Sequence, residues 1–331
     1  MNEVVFFINK GVTAGLIIGS IYALGAIGVT MIFGILRFAH FAHGDMMTLG
    51  AFMTLILTAA LASLGIVWPV PLAFIAMFPA MAITAFLAIG IDRAFYRPLR
   101  MAGARPVVIV MASVGVTLML QGLIRLFAGV RGRDMFLEAP KEIFRIPFPG
   151  ASRPVIITEP QVLLIAFTIV AVVALHWFLT RSRLGKAMRA VSDNPELAQI
   201  TGINTNHVVW ATWIIGGALA CAAGTLLSMD VTLKPDLSFN ILLPIFAATI
   251  VGGIGQPYGA IAGGFLVGFC ETLAVFNWSI LLRPIQHHLW FELPASMALV
   301  PTQYKLMVPF LILIIVLIYR PTGIFKGRVL A

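Results

Sequence analysis

Charged side chains are missing from long tracts of this sequence. Gly11 to Leu36, Met46 to Ile91, Pro106 to Ile124, Pro160 to Thr180, Val208 to Met229 and Leu237 to Cys270 each lack Asp, Glu, Lys and Arg. About 20 apolar residues cross the hydrocarbon core of a bilayer, and a charge in the middle of one costs several kcal/mol. The tracts therefore read as membrane spans. The longest one divides at "SLGIVWPVP", where Gly65, Trp68, Pro69 and Pro71 mark a turn near an interface. This places spans near 12–36, 46–64, 70–91, 107–128, 160–180, 208–229 and 306–320, and the stretch from Ile241 to Phe276 is long enough for two crossings interrupted at "GGIGQPYGA". The fold class is all-α: a polytopic integral membrane protein of about eight or nine segments, two of them glycine-broken or re-entrant, forming one transmembrane domain over 1–331.

Composition agrees. Of 331 residues 60% are hydrophobic and 11% charged, against roughly 25% charged in soluble domains. The first run is too long for a signal-peptide core, has no charged leader of the usual kind and no small-residue cleavage site after it, so it reads as a retained span. The net charge of +9 sits between spans, where it orients a membrane protein, and does not imply nucleic acid. Arg93, Arg97, Arg100 and Arg105, then Arg181, Arg183, Lys186 and Arg189, then Arg320, Lys326 and Arg328 fall on one side if every segment crosses. The positive-inside rule makes that side cytoplasmic and the C-terminus with it. Against the alternation, 129–159 holds Arg131, Arg133, Lys141, Arg145 and Arg153 on the outer side, where Pro140, Pro147, Pro149 and Pro154 predict an ordered external hairpin or lid. Cys221 and Cys270 read as small buried side chains.

The loop 181–207 has a structure of its own. "RLGKAMRAV" reads as a short basic amphipathic helix, and "PELAQITGI" as a second, with Asn194 as its cap, Pro195 in its first turn and Gly202 ending it. Two helices joined at "SDNP" would lie along the cytoplasmic surface, and an ordinary positive loop is the plainer alternative. The stretch "GKAMRAVSDNPELAQITGIN" resembles the coupling loop of bacterial branched-chain amino-acid ABC-transporter permeases, the LivH family. "SIYALGAIGVTMIFGILRFAHFAHGDMMTLGAF" resembles that family's first signature, "AATIVGGIGQPYGAIAGGFLVGFCETL" its second, and "YKLMVPFLILIIVLIYRPTGIF" its closing span and tail. The four matches come in the family's order and cover nearly the whole chain.

The resemblance implies a permease subunit of an ATP-driven importer for branched-chain or other hydrophobic amino acids in the bacterial inner membrane. Urea, amides and aromatic acids are alternative solutes. It implies two ABC ATPase subunits, a periplasmic binding protein and a second, similar permease chain, although a homodimer is also consistent. It places ATPase coupling on Gly185, Arg189, Ala190, Asn194, Glu196, Ala198, Gly202 and Ile203. Independently, no G-x-x-x-x-G-K-[ST] occurs, and the lone "GK" at Gly185 and Lys186 is followed by alanine, so any ATP is hydrolysed elsewhere. The chain is not expected to be an enzyme or to need a cofactor.

His40, His43 and Asp45 invite a metal reading, since positions 40 and 43 share a helical face, but no wider His/Cys cluster or H-E-x-x-H supports it. The three residues either mark a span–water interface or belong to a break whose backbone and side chains line a cavity. The resemblance favours the cavity and assigns His40, Phe41, His43, Gly44 and Asp45 to a substrate pathway, with His40 where the family usually has asparagine. Gly44 is expected at a close backbone approach and Asp45 as cap of a helix beginning near Met46. Gly252, Gly253, Gly255, Gln256 and Gly259 form the second candidate pathway segment, and close helix packing is the other reading of these glycines. The two breaks would correspond in two structural repeats, yet counting crossings puts both on one side, whereas inverted repeats require opposite sides. Asp92 reads as half of a solvated pair with Arg93, and Glu271, deep in an apolar stretch, should face protein or a wet cavity. Asp230, Lys234 and Asp236 read as a polar loop within reach of a delivery protein. An intramembrane enzyme using His40, His43 and Asp45, and an ATP-independent carrier or channel, are the competing functions.

Overall fold

The computed structural model describes residues 1–66, 68–137, 140–283, 294 and 296–325. Lys326 and Arg328 lie outside the described residues. The long helices are α1 (Asn2–Leu36), α2 (His43–Ser63), α3 (Leu72–Met101) and α4 (Pro106–Ala128), followed by an antiparallel hairpin of β1 (Ile143–Ile146) and β2 (Val155–Thr158). Then come α5 (Glu159–Arg181), two short helices α6 (Arg183–Asp193) and α7 (Pro195–Ile200), and α8 (Thr205–Asp230), α9 (Leu237–Gly252), α10 (Pro257–Val275) and α11 (Met307–Tyr319). Among the described residues seven helices are long and apolar enough to cross a membrane, and α9 and α11 are shorter apolar helices. Prolines start several of them: Pro106, Pro160 and Pro257 stand in first turns, where their missing N–H is no loss.

The two ends of the bundle are distinct. On one, Asn2 and Asn9 of α1 hydrogen-bond Ser152, Pro154 and Ile156 of the hairpin segment. On the other, the Arg37 guanidinium at the end of α1 donates to the Ser192 carbonyl of α6 at 2.8 Å. The tail after α11 returns to this second face, where the amides of Ile324 and Phe325 donate to the carbonyls of Val251 and Gly252. Among the described residues, the predicted basic clusters at 93–105 and 181–189, together with Arg320, therefore share the face that carries α6 and α7, hereafter the foot. The dissenting hairpin segment is tied to the other: Lys141 donates to the carbonyl of Met229 at 2.7 Å, at the negative end of the α8 dipole.

Helices α1–α4 and α8–α11 form two repeats running in opposite directions. α1 packs along α10 as α8 packs along α3, and α2 meets α8 as α9 meets α1. The contacts are reciprocal at the residue level. Gly44 of α2 lies against Leu242 of α9, while Thr48 of α2 accepts from the Ser238 amide of α9 at 3.4 Å. Gly264 lies against Ala23, and Gly217 against Ala85. Each repeat has a break between its first and second helices, at 37–42 and at 231–236. This resolves the sidedness conflict in the sequence: the mate of the histidine-bearing break is 231–236 at the opposite face, and the glycine segment 253–256 is the turn joining α9 to α10.

Two further expectations are corrected. Asp92 is buried, and its carboxylate is bound by both Nη atoms of Arg100 at 2.7 and 3.0 Å; Arg93 instead lies over the Trp210 ring. A π-helical stretch, Asp92–Tyr96, turns the chain so that residues eight apart can meet. Cys221 is buried as expected, but Cys270 is exposed on the outer surface of α10.

Candidate functional site

The first break begins where Arg37 adopts left-handed backbone angles (φ 60°) and ends α1, its amide donating to the Phe33 carbonyl. The chain then climbs back into the bundle. His43, the first residue of α2, packs on Gly28 of α1, roughly 12 Å before the end of that helix at 1.5 Å per residue. Non-helical backbone at that depth needs internal partners. Ser113 of α4 supplies them, its hydroxyl accepting from the Phe41 amide at 3.2 Å and sharing its one proton between the Ala39 carbonyl at 3.3 Å and the Val110 carbonyl of its own helix at 2.8 Å.

His40 sits in an aromatic cage. Its Nε2 is 3.1 Å from the Tyr96 hydroxyl, its ring meets Trp213 edge-on at 5.0 Å, and Tyr96 and Trp213 stack at 5.6 Å. His40, His43 and Asp45 are all fully buried. Among the described residues no three His, Cys, Asp or Glu side chains converge as metal ligands would. Asp45 does not cap a helix starting at Met46: α2 begins earlier, at His43, with Ala42 in the cap position. The carboxylate instead lies in the first turn, favoured there by the helix dipole, with Thr117, Gln121 and Arg125 of α4 as polar neighbours. Gly44 makes the expected close approach, its Cα facing the Ser238 carbonyl and Leu242. The half-buried member of the set is Phe41, whose ring meets Phe246 of α9 at 5.0 Å. Beside this pair a cavity of about 270 Å³ is lined by Phe38, Ala39, Val110, Phe246 and Ile250.

The second candidate segment lies at the foot face. Gly252 and Gly259 press backbone to backbone, and a Cβ on either would strike the other's carbonyl, so only glycine lets α9 and α10 meet there. Gly253 and Gly255 have φ of 115° and 82° and make the turn. Gly255 and Gln256, with Gly34, Arg189, Ser192 and Tyr258, line a cavity of about 280 Å³ between the turn and α6. The segment thus joins the foot and does not meet the His40 cage.

In the foot, Ser182 caps α6 by accepting from the Gly185 amide at 2.8 Å, and Asn194 caps α7 by accepting from the amides of Glu196 and Leu197, both at 3.1 Å. Gly185 and Ala198 are buried and seat the foot on the bundle. Gly202 (φ 85°) ends α7, followed by half-buried Ile203, whose amide donates to the Ala198 carbonyl. Arg189, Asn194 and Glu196 face outward, and Ala190 is half-buried. The sequence reading missed Leu197 and Ile200, 58% and 83% exposed one turn apart on α7. Apolar residues on a helix too short to have a buried core were the available signal.

The sequence profile described as "Branched-chain amino acid transport system / permease component" matches residues 11–317. The chain belongs to this permease family. Relatives include the high-affinity branched-chain amino acid transport system permease protein BraD of Pseudomonas aeruginosa, 32% identical over 99% of this chain and 98% of the relative. The LivH permease of Salmonella typhimurium is 32% identical, and that of Escherichia coli 31%, over the same shares of each chain. No solved structure matches. Membership makes the chain a multi-pass inner-membrane transporter subunit, not an enzyme, with ATPase activity residing in separate subunits and a substrate-binding protein as a further partner.

Proposed function

We propose that this chain forms one side of a pathway for branched-chain amino acids, opened alternately to either face by ATPases that push on the foot. The foot and C-terminus are cytoplasmic, and the hairpin 129–159 faces the periplasm and its binding protein. The pathway runs past Phe41, Phe246 and the adjoining cavity. Apolar walls there suit aliphatic side chains, and the N-terminal ends of α2 and α9, meeting inside the bundle, offer their positive dipole ends to a carboxylate. His40, His43, Gly44 and Asp45 position that end of α2, and the 252–259 segment transmits movement of α6. A second, similar permease chain covers the opposite side, over the exposed faces of α4 and α11, and each of two ATPases seats on one foot.

One observation supports this reading above others: Arg37 links the first residue of the break to the Ser192 carbonyl of the foot at 2.8 Å. The test is uptake into proteoliposomes holding both permease chains, the ATPases and the binding protein. Wild-type complex should accumulate leucine in an ATP-dependent manner in preference to urea or benzoate. Arg37→Ala should keep ATP hydrolysis while uptake falls at least tenfold. Parallel loss of both activities, or of neither, would reject the linkage, and accumulation of urea instead of leucine would reject the substrate.

A further inference from the structure

A groove of about 460 Å³ runs down the outside of the bundle between α5 and α8. Four alanines, Ala171, Ala174, Ala211 and Ala218, hollow it out, and Met81 of α3 and Leu184 of α6 complete its wall. Along α5 it extends from Phe167 to Phe178, roughly 16 Å at the helical rise. That is about half the ~30 Å hydrocarbon core, the depth of a single leaflet. Its Leu184 end belongs to the foot.

Three arginines lie near the same end, one by contact and two by their place in the chain. Trp210 stands one turn before Ile214, another wall residue, and so extends the groove's face on α8. The Arg93 guanidinium lies 5.1 Å from its ring centroid. Arg183 adjoins Leu184, and Arg181 follows Phe178 by three residues. All three arginines are exposed, and among the described residues none enters a salt bridge. A straight apolar channel one leaflet deep, with unneutralised guanidinium groups at its membrane-surface end and an indole at headgroup level, has the charge pattern of an acidic amphiphile.

We propose that this groove binds one anionic phospholipid from the leaflet at the foot face, its acyl chain between α5 and α8 and its phosphate held by Arg93 and Arg183 beside Trp210. The lipid would lie against both α5, which leads into the foot, and α8, which leads out of it. Occupancy then braces the two helices between which the foot is hung.

The test is native mass spectrometry of the full chain in detergent, with phosphatidylglycerol or phosphatidylcholine added. The wild-type protein should retain one phosphatidylglycerol with a preference over phosphatidylcholine of at least about tenfold, and high salt should abolish the preference. Arg93→Gln combined with Arg183→Gln should bring phosphatidylglycerol down to the level of phosphatidylcholine. Ala174→Trp, which fills the groove without touching charge, should remove retained lipid of both kinds. Thermal unfolding of each variant identifies any that misfold, and the salt series on the wild-type chain needs no variant. Equal retention of the two lipids by wild type, or a preference unchanged by the double substitution, would overturn the proposal.

Discussion

Asp92 and Glu271 occupy matching places in the two repeats. Each is buried in its repeat's third helix and holds a cation from further along the chain: Arg100, in the last turn of α3, at 2.7 Å for Asp92, and Lys305, just before α11, at 3.0 Å for Glu271. The first pair lies toward the foot face and the second toward the hairpin face, where Glu271 also accepts from the Tyr22 hydroxyl at 2.8 Å. Removing one partner of a buried pair strands a charge and costs about 3–5 kcal/mol. Lys305 is partly exposed, so Lys305→Met should cost less, about 2–3 kcal/mol. Adding Glu271→Gln should recover most of that loss, because the amide oxygen still accepts from Tyr22. Denaturant unfolding of the purified chain checks the order; a double variant weaker than Lys305→Met would refute it.

The glycine contact between α9 and α10 has a built-in control. Gly259→Val forces two backbones apart and should exceed the usual overpacking penalty of about 1–3 kcal/mol. At Gly115 of α4 an added Cβ meets nothing within 4 Å. Gly115→Val should leave the melting temperature within error while Gly259→Val abolishes stable insertion, both read by fluorescence size-exclusion chromatography.

Leu197 and Ile200 contribute little to the chain's own core. Leu197→Glu with Ile200→Glu should leave thermal unfolding unchanged and reduce ATPase co-purification at least tenfold. Asn194→Ala, which removes a cap worth about 1 kcal/mol, should weaken both. Unchanged co-purification in the Leu197/Ile200 variant would show that the ATPase seats elsewhere.

Ser113 serves both a donor and an acceptor of the break. Ser113→Ala leaves the Phe41 amide unmet at a cost of about 1–3 kcal/mol, and takes from the Ala39 carbonyl only the longer branch of a proton shared with Val110. Hydrogen–deuterium exchange should rise across residues 37–43 and remain at the wild-type level in α5.

The spans were legible because a bilayer forbids charge over a length that sequence displays directly, and the foot because Asn194 and Gly202 announce helix ends locally. Pairings across the chain were not. The break "RFAHFA" and its mate "VTLKPD" share a length, a place and one basic residue each but no histidine or aromatic ring, whereas Gln256-Pro257 among glycines reads as a broken span and pointed to the glycine turn instead. Asp92 was assigned to its neighbour Arg93 because a π-helical stretch, which brings Arg100 round to it, leaves no trace in hydrophobic periodicity. The cage around His40 draws Tyr96 and Trp213 from distant helices, and each looks unremarkable within its own apolar run.

Helices α1–α4 have counterparts in α8–α11, whereas among the described residues α5, α6 and α7 have none. The described residues thus hold two of every wall element but a single lever. We therefore expect motors and permease chains to occur in equal number in the assembled importer, a ratio that the mass of the intact complex reads directly.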